Sequence, residues 1–304
     1  ARFPGIPVMS IEALLASEAV EAVYIATPHP DHAPWAIRAA AAGKHVLCEK
    51  PMGLSAFEAE AMFGAAERAG TFMAEAFMYR LHPQTLRLLE LVRDGAIGEV
   101  RLVRSSFGYD ASREAGHDHR TYANDLAGGG ILDVGCYPVS MARLIAGAVA
   151  GRPFADPVAV RGTATLGPTG VDEWASAILT FETGLIAEVS CSVSLQQDNV
   201  LRIYGSAGRI EVADFWFGSG RQGGVGRITV VAPDGAARVV EVPEARWLYS
   251  FEAEAASLAI RAGRRTFDPP GMSREDTLGN MAVLDAWRRD VGLVYRIETE
   301  ARRA

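Results

Sequence analysis

Short apolar runs alternate with alanine-rich segments along the first eighty residues. Residues 22–27, 45–49 and 71–78 are apolar runs that predict buried strands of a parallel sheet. Residues 33–42 and 56–69 lie between these runs and predict helices. Strand, helix, strand, helix, strand at this spacing is typical of a doubly wound α/β unit.

Capping residues mark the ends of the two predicted helices. Asp31 and Ser55 stand where an N-cap side chain would accept a hydrogen bond from the first turn. Gly43 and Gly70 stand where each helix would end in a left-handed residue. These signals fix the expected helix boundaries.

The pattern changes after about residue 80. Residues 84–93 predict an amphipathic helix, and residues 100–109 predict a strand. A helix is expected over residues 131–146, and helical patterns return at 251–262 and 274–289. The intervening stretch is β-rich, which predicts an α+β unit after the parallel one.

The clearest strand covers residues 185–195, where apolar and polar side chains alternate over eleven positions. Residues 175–181 repeat that alternation, and Glu182-Thr183-Gly184 between them predicts a tight hairpin. We therefore expect a large, open-faced, mainly antiparallel sheet.

Composition narrows the class of protein. The chain has 304 residues, which suggests two domains, and 49% apolar residues provide ample core material. A net charge of −7 with scattered acids argues against a nucleic-acid partner, and no apolar run predicts a membrane span. Three cysteines and no signal pattern favour a reducing, cytoplasmic compartment.

The order of elements predicts a partial Rossmann-type domain over residues 1–80 and a substrate and dimerisation domain over 81–304. The C-terminal helices are expected to pack back on the first domain. A ligand site is expected in the cleft between the two.

One stretch matches the dinucleotide fingerprint formally, the Gly-x-Gly-x-x-Gly of residues 218–223. The fingerprint requires a preceding strand and a following helix. Here a strand pattern over 227–231 follows at once, so we interpret the stretch as a hairpin loop.

Candidate binding residues follow the first two predicted strands. Thr27-Pro28 and Glu49-Lys50-Pro51 lie at carboxyl strand ends, where open α/β sheets bind ligands. Lys50 is able to project its ammonium into the cleft, and a cis Lys50–Pro51 bond would fix that turn. The alternatives are an ordinary turn at Thr27 and a solvated lysine.

Residues 128–137, GGGILDVGCY, form the richest motif. The glycines permit close backbone approach before a helix, and Asp133 and Tyr137 are spaced to share one helix face. A carboxylate and a phenol on one face are able to form a hydrogen-bonded acid/base pair. The alternative is a capping Asp and a half-buried Tyr.

All six histidines lie between His29 and His119. His117, Asp118 and His119 resemble a metal-binding pair, but a polar loop is the favoured interpretation, and no metal site is predicted. His32 is expected in the first turn of a helix near the cleft. Arg80 and His82 follow the third strand and are candidates for the substrate side.

On Thr27-Pro28, His32, Glu49-Lys50-Pro51 and GGGILDVGCY, the chain resembles the glucose–fructose oxidoreductase, inositol dehydrogenase and MocA (Gfo/Idh/MocA) family over about residues 6–300. The stretch AEAFMYRLHPQ and Tyr137 are similar to the branch that holds NADP-dependent D-xylose and dimeric dihydrodiol dehydrogenases. The resemblance implies hydride transfer between NADP or NAD and a sugar, cyclic polyol or dihydrodiol, with two subunits paired through the open sheet.

The resemblance also implies residue roles. Lys50, Tyr137 and Asp133 would be catalytic, with Tyr137 as the general acid/base. Arg80, His82 and Tyr137 would face the substrate, and the cofactor would be lined by Thr27, Pro28, His32, Glu49, Lys50 and Pro51. Chemically, a lysine cation near Tyr137 is expected to lower the pKa of the phenol toward a useful range.

The family's first strand, Gly-rich loop, helix and second strand are not found in this sequence. We expect either a longer polypeptide with an upstream segment of more than ~30 residues, the size of one βαβ unit, or a truncated protein without the usual dinucleotide site. The missing initiator Met favours the former. The 304 residues alone are expected to bind NAD(P)H poorly, and cofactor preference is not readable.

Two other functions remain open on the sequence. A non-catalytic sugar or nucleotide sensor would explain the absent Gly-rich segment, although such a protein has no need of Lys50 and Tyr137. An NAD-dependent glycosidase on the same fold would release sugar without net cofactor reduction.

Overall fold

A computed structural model describes residues 5–116 and 119–301. After helix α1 (Ile11–Ala16) comes a three-stranded parallel sheet in the order β1-β2-β3. Its strands and the helices between them are β1 (Ala22–Ile25), α2 (His32–Ala41), β2 (His45–Glu49), α3 (Ala56–Ala69) and β3 (Met73–Ala76). All three predicted strands and both predicted helices are confirmed.

The helix ends follow local chemistry. The Ser55 hydroxyl accepts from the Glu58 amide at 3.3 Å, as an N-cap should, and Gly70 ends α3 with φ at 67°. Asp31 stands at the N-cap of α2 but makes no side-chain capping bond, because a 3-10 turn over His29–Asp31 leads into the helix. The expectation of a capping Asp31 was therefore wrong.

The second sheet has eight strands in the order β11-β10-β9-β8-β4-β7-β6-β5. Every neighbouring pair is antiparallel except β4 and β7, which run parallel. The strands are β4 (Val100–Gly108), β5 (Ala159–Leu166), β6 (Asp172–Thr180), β7 (Ile186–Ser192), β8 (Leu201–Gly205), β9 (Gly208–Val212), β10 (Gly224–Val231) and β11 (Ala237–Glu244). The mainly antiparallel sheet is thus confirmed.

The two faces of this sheet differ in exposure. On β7, Ala187, Val189 and Cys191 are buried, while Ile186 and Glu188 point to the exposed face. That is the alternation expected of a sheet with one face in the core. The predicted hairpin at 182–184 joins β6 to β7.

Helices cover the buried face. The helices outside the parallel sheet are α4 (Pro83–Arg93), α5 (Ser112–Ala115), α6 (Cys136–Val149), α7 (Ser250–Arg261), α8 (Arg274–Asp290) and α9 (Arg296–Ala301). A π-helical turn, Ile131–Gly135, leads directly into α6, so the predicted helix over 131–146 divides into two parts.

Helix α6 lies at the centre of the molecule. The helical stretch Asn124–Val149 is long and apolar enough by composition to cross a membrane, but its most apolar window is entirely buried within the protein. This is the environment of a core helix. Helix α7 packs on the parallel sheet, where Ala256 and Ala259 contact the cluster of Leu47, Phe72 and Ala74.

Candidate functional site

A cavity of 470 Å³ lies where the carboxyl ends of β1 and β2 face the second sheet. Its parallel-sheet side is formed by the strand ends, and its other side by β4, the π-helical turn and the loop before β10. The lining residues are Ala26, Thr27, Pro28, His29, His32, Glu49, Lys50, Met78, Phe107, Tyr109, Arg120, Asp133, Val134, Tyr137, Phe217, Arg221 and Tyr249. A larger depression of 680 Å³ on the exposed face of the second sheet contains none of the predicted catalytic residues.

Lys50 projects into this cavity from the end of β2, and the Lys50–Pro51 peptide bond is cis. Its ammonium donates to the backbone oxygen of Asp133 at 2.5 Å and lies 3.3 Å from carboxylate Oδ1 of Asp133. Burial acts to lower the pKa of Lys50, but the Asp133 carboxylate opposes it, and the net shift is upward. Lys50 is therefore a cation at neutral pH.

Asp133 is the electrostatic centre of the cavity. Its side chain is 4% exposed, and its Oδ1 lies 3.6 Å from the Arg120 guanidinium as well as close to Lys50. The phenol of Tyr109 donates to Oδ2. Burial acts to raise the pKa of Asp133, yet the cations and the phenol hold it well below its usual range. Asp133 thus remains ionised.

The glycine motif serves the placement of Asp133. Gly129 has a φ of 104°, and a Cβ there would collide with the Asp172 carboxylate. Asp172 in turn accepts from the Ile131 amide at 2.7 Å, at the start of the π-helical turn. The glycines therefore allow the buried Asp172 side chain to approach the backbone closely, and Asp172 anchors this turn.

Tyr137 lies in an aromatic cluster beneath Lys50. The Lys50 ammonium is 5.4 Å from the centre of its ring, and the phenol donates to the sulfur of Met78 at 3.4 Å. Phe77 and Phe107 meet the ring edge-on at 5.1 and 5.0 Å. Burial raises the pKa of Tyr137 well above its usual value, and the charge on Glu49 adds to that rise.

This geometry differs from two expectations. The lysine faces the Tyr137 ring and not its oxygen, and the pKa of this phenol is raised, not lowered. Asp133 and Tyr137 both line the cavity, but the phenol that bonds to Asp133 is that of Tyr109. Tyr109 was missed because it is the last residue of a predicted strand, and its partner comes from a distant turn.

The residues expected to line the cofactor surround the strand ends. Glu49 accepts from the Tyr24 phenol and, at 3.1 Å, from the Lys50 amide. His32 is 1% exposed, and both of its ring nitrogens face backbone carbonyls, those of Thr27 and Pro51. Thr27 and Pro28 line the cavity, and Pro51 lies buried behind it.

The residues present fit the nicotinamide end of a dinucleotide. The Thr27 hydroxyl is buried and has no hydrogen-bond partner in the described part of the chain, although it lies at the carboxyl end of a parallel strand and lines the cavity. Such a group calls for a polar ligand atom. In residues 5–116, no Gly-rich turn opens a helix directly after a strand.

His29 was not singled out by the sequence. Burial lowers its pKa to about 3, so the ring is neutral. Its Nδ1 donates to the Ala127 carbonyl at 2.9 Å, and Nε2 lies 3.9 Å from Oδ1 of Asp133. Its position right after Thr27-Pro28 is the one signal that would have identified it.

The structure does not bring Arg80 and His82 into the cavity. Each is 1% exposed. Arg80 forms an ion pair with Asp276 and donates to the Ser140 hydroxyl at 2.8 Å. His82 caps α4 and packs edge-on against Phe251. His82 packs against α7 and Arg80 against α8, and neither side chain lines the cavity.

Two motif interpretations have different outcomes. The glycines of residues 218–223 form a loop directly before β10, as predicted. His117 and Asp118 of the possible metal pair lie outside the described residues. Across 5–116 and 119–301, no group of three or more His, Cys, Asp or Glu side chains is placed to hold a metal ion.

Two family models match the chain. Residues 1–77 match the NAD-binding Rossmann fold of an oxidoreductase family, and residues 85–211 match the Gfo/Idh/MocA C-terminal domain. The first match covers the parallel sheet, and the second covers β4 to β8 and most of β9 in the second sheet.

Characterised relatives include two dehydrogenases. D-xylose 1-dehydrogenase (NADP(+)) 2 of Haloferax volcanii is 37% identical over 293 residues, covering 93% of this chain and 82% of that protein. Trans-1,2-dihydrobenzene-1,2-diol dehydrogenase of Mus musculus is 36% identical over 207 residues, 68% of this chain and 59% of that protein. A 3-ketoreductase of Actinomadura kijaniata, solved with TDP-benzene and NADP, superposes with a TM-score of 0.81 at 28% identity, covering 95% and 84% of the two chains.

Proposed function

Because the chain belongs to the Gfo/Idh/MocA family of oxidoreductases, we propose that it is an NAD(P)-dependent dehydrogenase acting on a sugar, cyclic polyol or dihydrodiol. The observation that carries the proposal is the ion pair between Lys50, which is partly buried, and the buried Asp133, beside Tyr137 in a cavity at the carboxyl ends of parallel strands. When bound, the nicotinamide supplies the site that accepts or gives the hydride.

Lys50 and Tyr137 are assigned to the reacting oxygen. Both have raised pKa values, so both carry their protons at neutral pH. In the reductive direction, either is able to donate to the carbonyl oxygen as its negative charge develops. Asp133 keeps Lys50 charged and aims it, because the ammonium donates to both the backbone and the carboxylate of this one residue.

The cofactor side is assigned to the strand ends. Thr27 and Pro28 after β1, and Glu49 at the end of β2 next to Lys50, face the cavity and would contact the nicotinamide and its ribose. The unpartnered Thr27 hydroxyl supports this assignment. Pro51 would act from behind the cavity wall. His32 lines the cavity, but both of its ring nitrogens face backbone carbonyls, so it would support the cofactor site through the backbone.

The test is a substrate panel with the complete enzyme. Aldoses, cyclic polyols and a trans-dihydrodiol are offered with NADP⁺ and with NAD⁺, and reduced nicotinamide is followed by absorbance. Reduction of the cofactor by at least one of these alcohols supports the proposal. Binding of a sugar without any reduction of either cofactor contradicts it.

We also propose that two subunits pair through the exposed face of the second sheet. Ile178 and Ile186 are 42% and 40% exposed there, beside the Arg104–Glu188 ion pair. Exposed aliphatic side chains flanked by charges are typical of a subunit interface. Sedimentation of the native enzyme should give a dimer, and an Ile186→Asp variant should shift it to monomer.

We propose a cytoplasmic location because the cysteines of the chain are free thiols. Cys48, Cys136 and Cys191 are all buried and unpaired. This suits a reducing compartment. Thiol titration of the denatured, unreduced protein should find all three free.

The boundary between the cofactor and substrate units is proposed near residue 80. β3 ends at Ala76, and the first strand of the second sheet begins at Val100, with α4 between them. The two matched family models end and begin on either side of that point.

A further inference from the structure

The peptide group that joins Pro51 to Met52 is hydrogen-bonded at both ends by buried side chains. Its carbonyl oxygen lies 2.8 Å from Nδ1 of His32. Its amide donates to Oε1 of Glu75, also at 2.8 Å. This peptide group directly follows the Lys50–Pro51 bond, so whatever holds it also holds Lys50.

His32 approaches from α2. A carbonyl oxygen only accepts, so the imidazole must donate from Nδ1 to Pro51. Its Nε2 lies 2.9 Å from the Thr27 carbonyl, which would also require a proton. Burial lowers the pKa of His32 against the effect of both carbonyls, so the ring is neutral and donates from one nitrogen at a time. Nδ1 faces Pro51 and Nε2 faces Thr27, so any hold of His32 on the Pro51 carbonyl is made through Nδ1.

Glu75 approaches from β3, the strand next to β2 at one edge of the three-stranded parallel sheet. The residue is fully buried, and Oε2 has no hydrogen-bond partner among the described residues. Burial raises the pKa of Glu75 to about 8. An oxygen of the carboxyl group accepts from the Met52 amide in either protonation state. A buried acid on a strand is costly unless it is hydrogen-bonded, and the Met52 amide is one such partner of Glu75.

Neither side chain is placed to do chemistry itself. Glu75 does not line the cavity, and the two nitrogens of His32 are turned to backbone. Among residues 5–116 and 119–301, Asp133 is the one acidic side chain that forms an ion pair with Lys50, and the turn after Lys50 helps to set the direction of its stem.

We propose that His32 and Glu75 are positioning residues that grip the Pro51–Met52 peptide group from both sides and thereby hold the Lys50 ammonium against Asp133. The inference rests on the proposed function for the part played by Lys50. The grip itself is a property of the folded chain and is measurable without cofactor or substrate.

Lysine labelling provides that measurement, because the sequence has lysines only at 44 and 50. Trace acetylation with acetic anhydride, followed by mass spectrometry, gives the rate at Lys50 relative to Lys44. Lys44 lies at the opposite end of β2 from Lys50, donates to the Ser17 carbonyl, and serves as an internal reference. Glu75→Leu and His32→Leu should raise the Lys50:Lys44 ratio several-fold in the complete enzyme.

Three variants separate positioning from general damage. Glu75→Gln keeps an oxygen for the Met52 amide and should keep the wild-type ratio. His32→Asn places an amide donor near the position of Nδ1 and should keep the wild-type labelling ratio. His32→Gln places the amide donor near the position of Nε2 and should raise the ratio. Glu58→Leu is the matched control, since Glu58 accepts from the Leu54 amide at 2.7 Å in the same loop but does not touch the gripped peptide.

Activity gives a second measurement. Glu75→Leu should lower kcat by roughly 10–100-fold, as expected of a small displacement of a catalytic group, with a smaller change in KM. The melting temperature of Glu75→Leu should fall little despite the loss of kcat, because an apolar side chain replaces a buried acid. Glu58→Leu should leave kcat unchanged.

The proposal is overturned if the labelling ratio in Glu75→Leu and His32→Gln stays at that of Glu58→Leu. It is also overturned if His32→Gln retains the wild-type ratio while His32→Asn does not, since the Thr27 contact would then be the one that matters. An enzyme inactive on every alcohol in the panel, with the labelling result as expected, would remove the proposed function and leave the grip standing.

Discussion

The carboxyl ends of β2 and β3 lie side by side in one parallel sheet, and each is followed by a basic residue. Lys50 after β2 has one buried acid as partner and opens onto the cavity. Arg80 after β3 is 1% exposed and is enclosed by Asp276, Ser140 and the Pro270 carbonyl. Position at a strand end does not by itself place a charge in a site. What covers that strand end decides between a reactive cation and a structural one.

The largest effect on stability is expected at the covered strand end. Asp276→Ala leaves the guanidinium groups of Arg80 and Arg143 buried without their shared carboxylate. We expect the free energy of unfolding to fall by about 3–5 kcal/mol, as for other broken buried ion pairs. Denaturant titration measures this.

An exposed ion pair provides the control. Glu188→Gln removes the partner of Arg104 on the open sheet face and should change the free energy of unfolding by less than about 1 kcal/mol. If Asp276→Ala changes the free energy of unfolding as little as Glu188→Gln does, the ion pairs of Asp276 with Arg80 and Arg143 do not stabilise the fold.

At the open strand end, the expected effect is on catalysis. Asp133→Asn removes the charge that most strongly opposes the effect of burial on Lys50, so the pKa of Lys50 falls. We expect kcat/KM for carbonyl reduction to drop by roughly 10²-fold. The alkaline loss of activity should also begin at a lower pH than in wild type. An unchanged pH profile would separate Asp133 from Lys50.

The ion pairs of Lys50 and Arg80 show what could and could not be predicted from the sequence. Strands and helices around the cavity were placed within a few residues, because apolar runs and capping residues are local signals. Lys50 and Asp133 were each identified from short motifs. Their contact, and the ion pair of Arg80 with an aspartate 196 residues away, depend on tertiary packing that no local pattern carries.

Tyr109, like His29, lines the cavity and was not identified from the sequence. Tyr109→Phe removes the phenol that donates to Asp133 and leaves the ring. We expect kcat/KM to fall by about tenfold, the effect of one hydrogen bond to a buried charge. Thermal unfolding of the same variant shows whether the loss is catalytic. A Tyr109→Phe enzyme with full activity would confine the acid/base set to Lys50, Asp133 and Tyr137.

The smallest effect is expected at the end of β1. Thr27→Val removes a hydroxyl that has no partner in the described part of the chain, so stability should be unchanged or slightly improved. The KM for the nicotinamide cofactor should rise by roughly 2–10-fold, the effect of one neutral hydrogen bond, while kcat stays near wild type. A loss of stability without a change in KM would assign Thr27 to the scaffold.

The most direct test of the account compares the two basic residues in one assay. Steady-state reduction of the nicotinamide cofactor is measured for Lys50→Met and Arg80→Met, with each rate divided by the folded fraction at the assay temperature. We expect kcat/KM per folded molecule to fall by roughly 10²–10⁴-fold for Lys50→Met and to stay within a few-fold of wild type for Arg80→Met. Full activity in folded Lys50→Met would contradict the assignment of the reaction to this cavity.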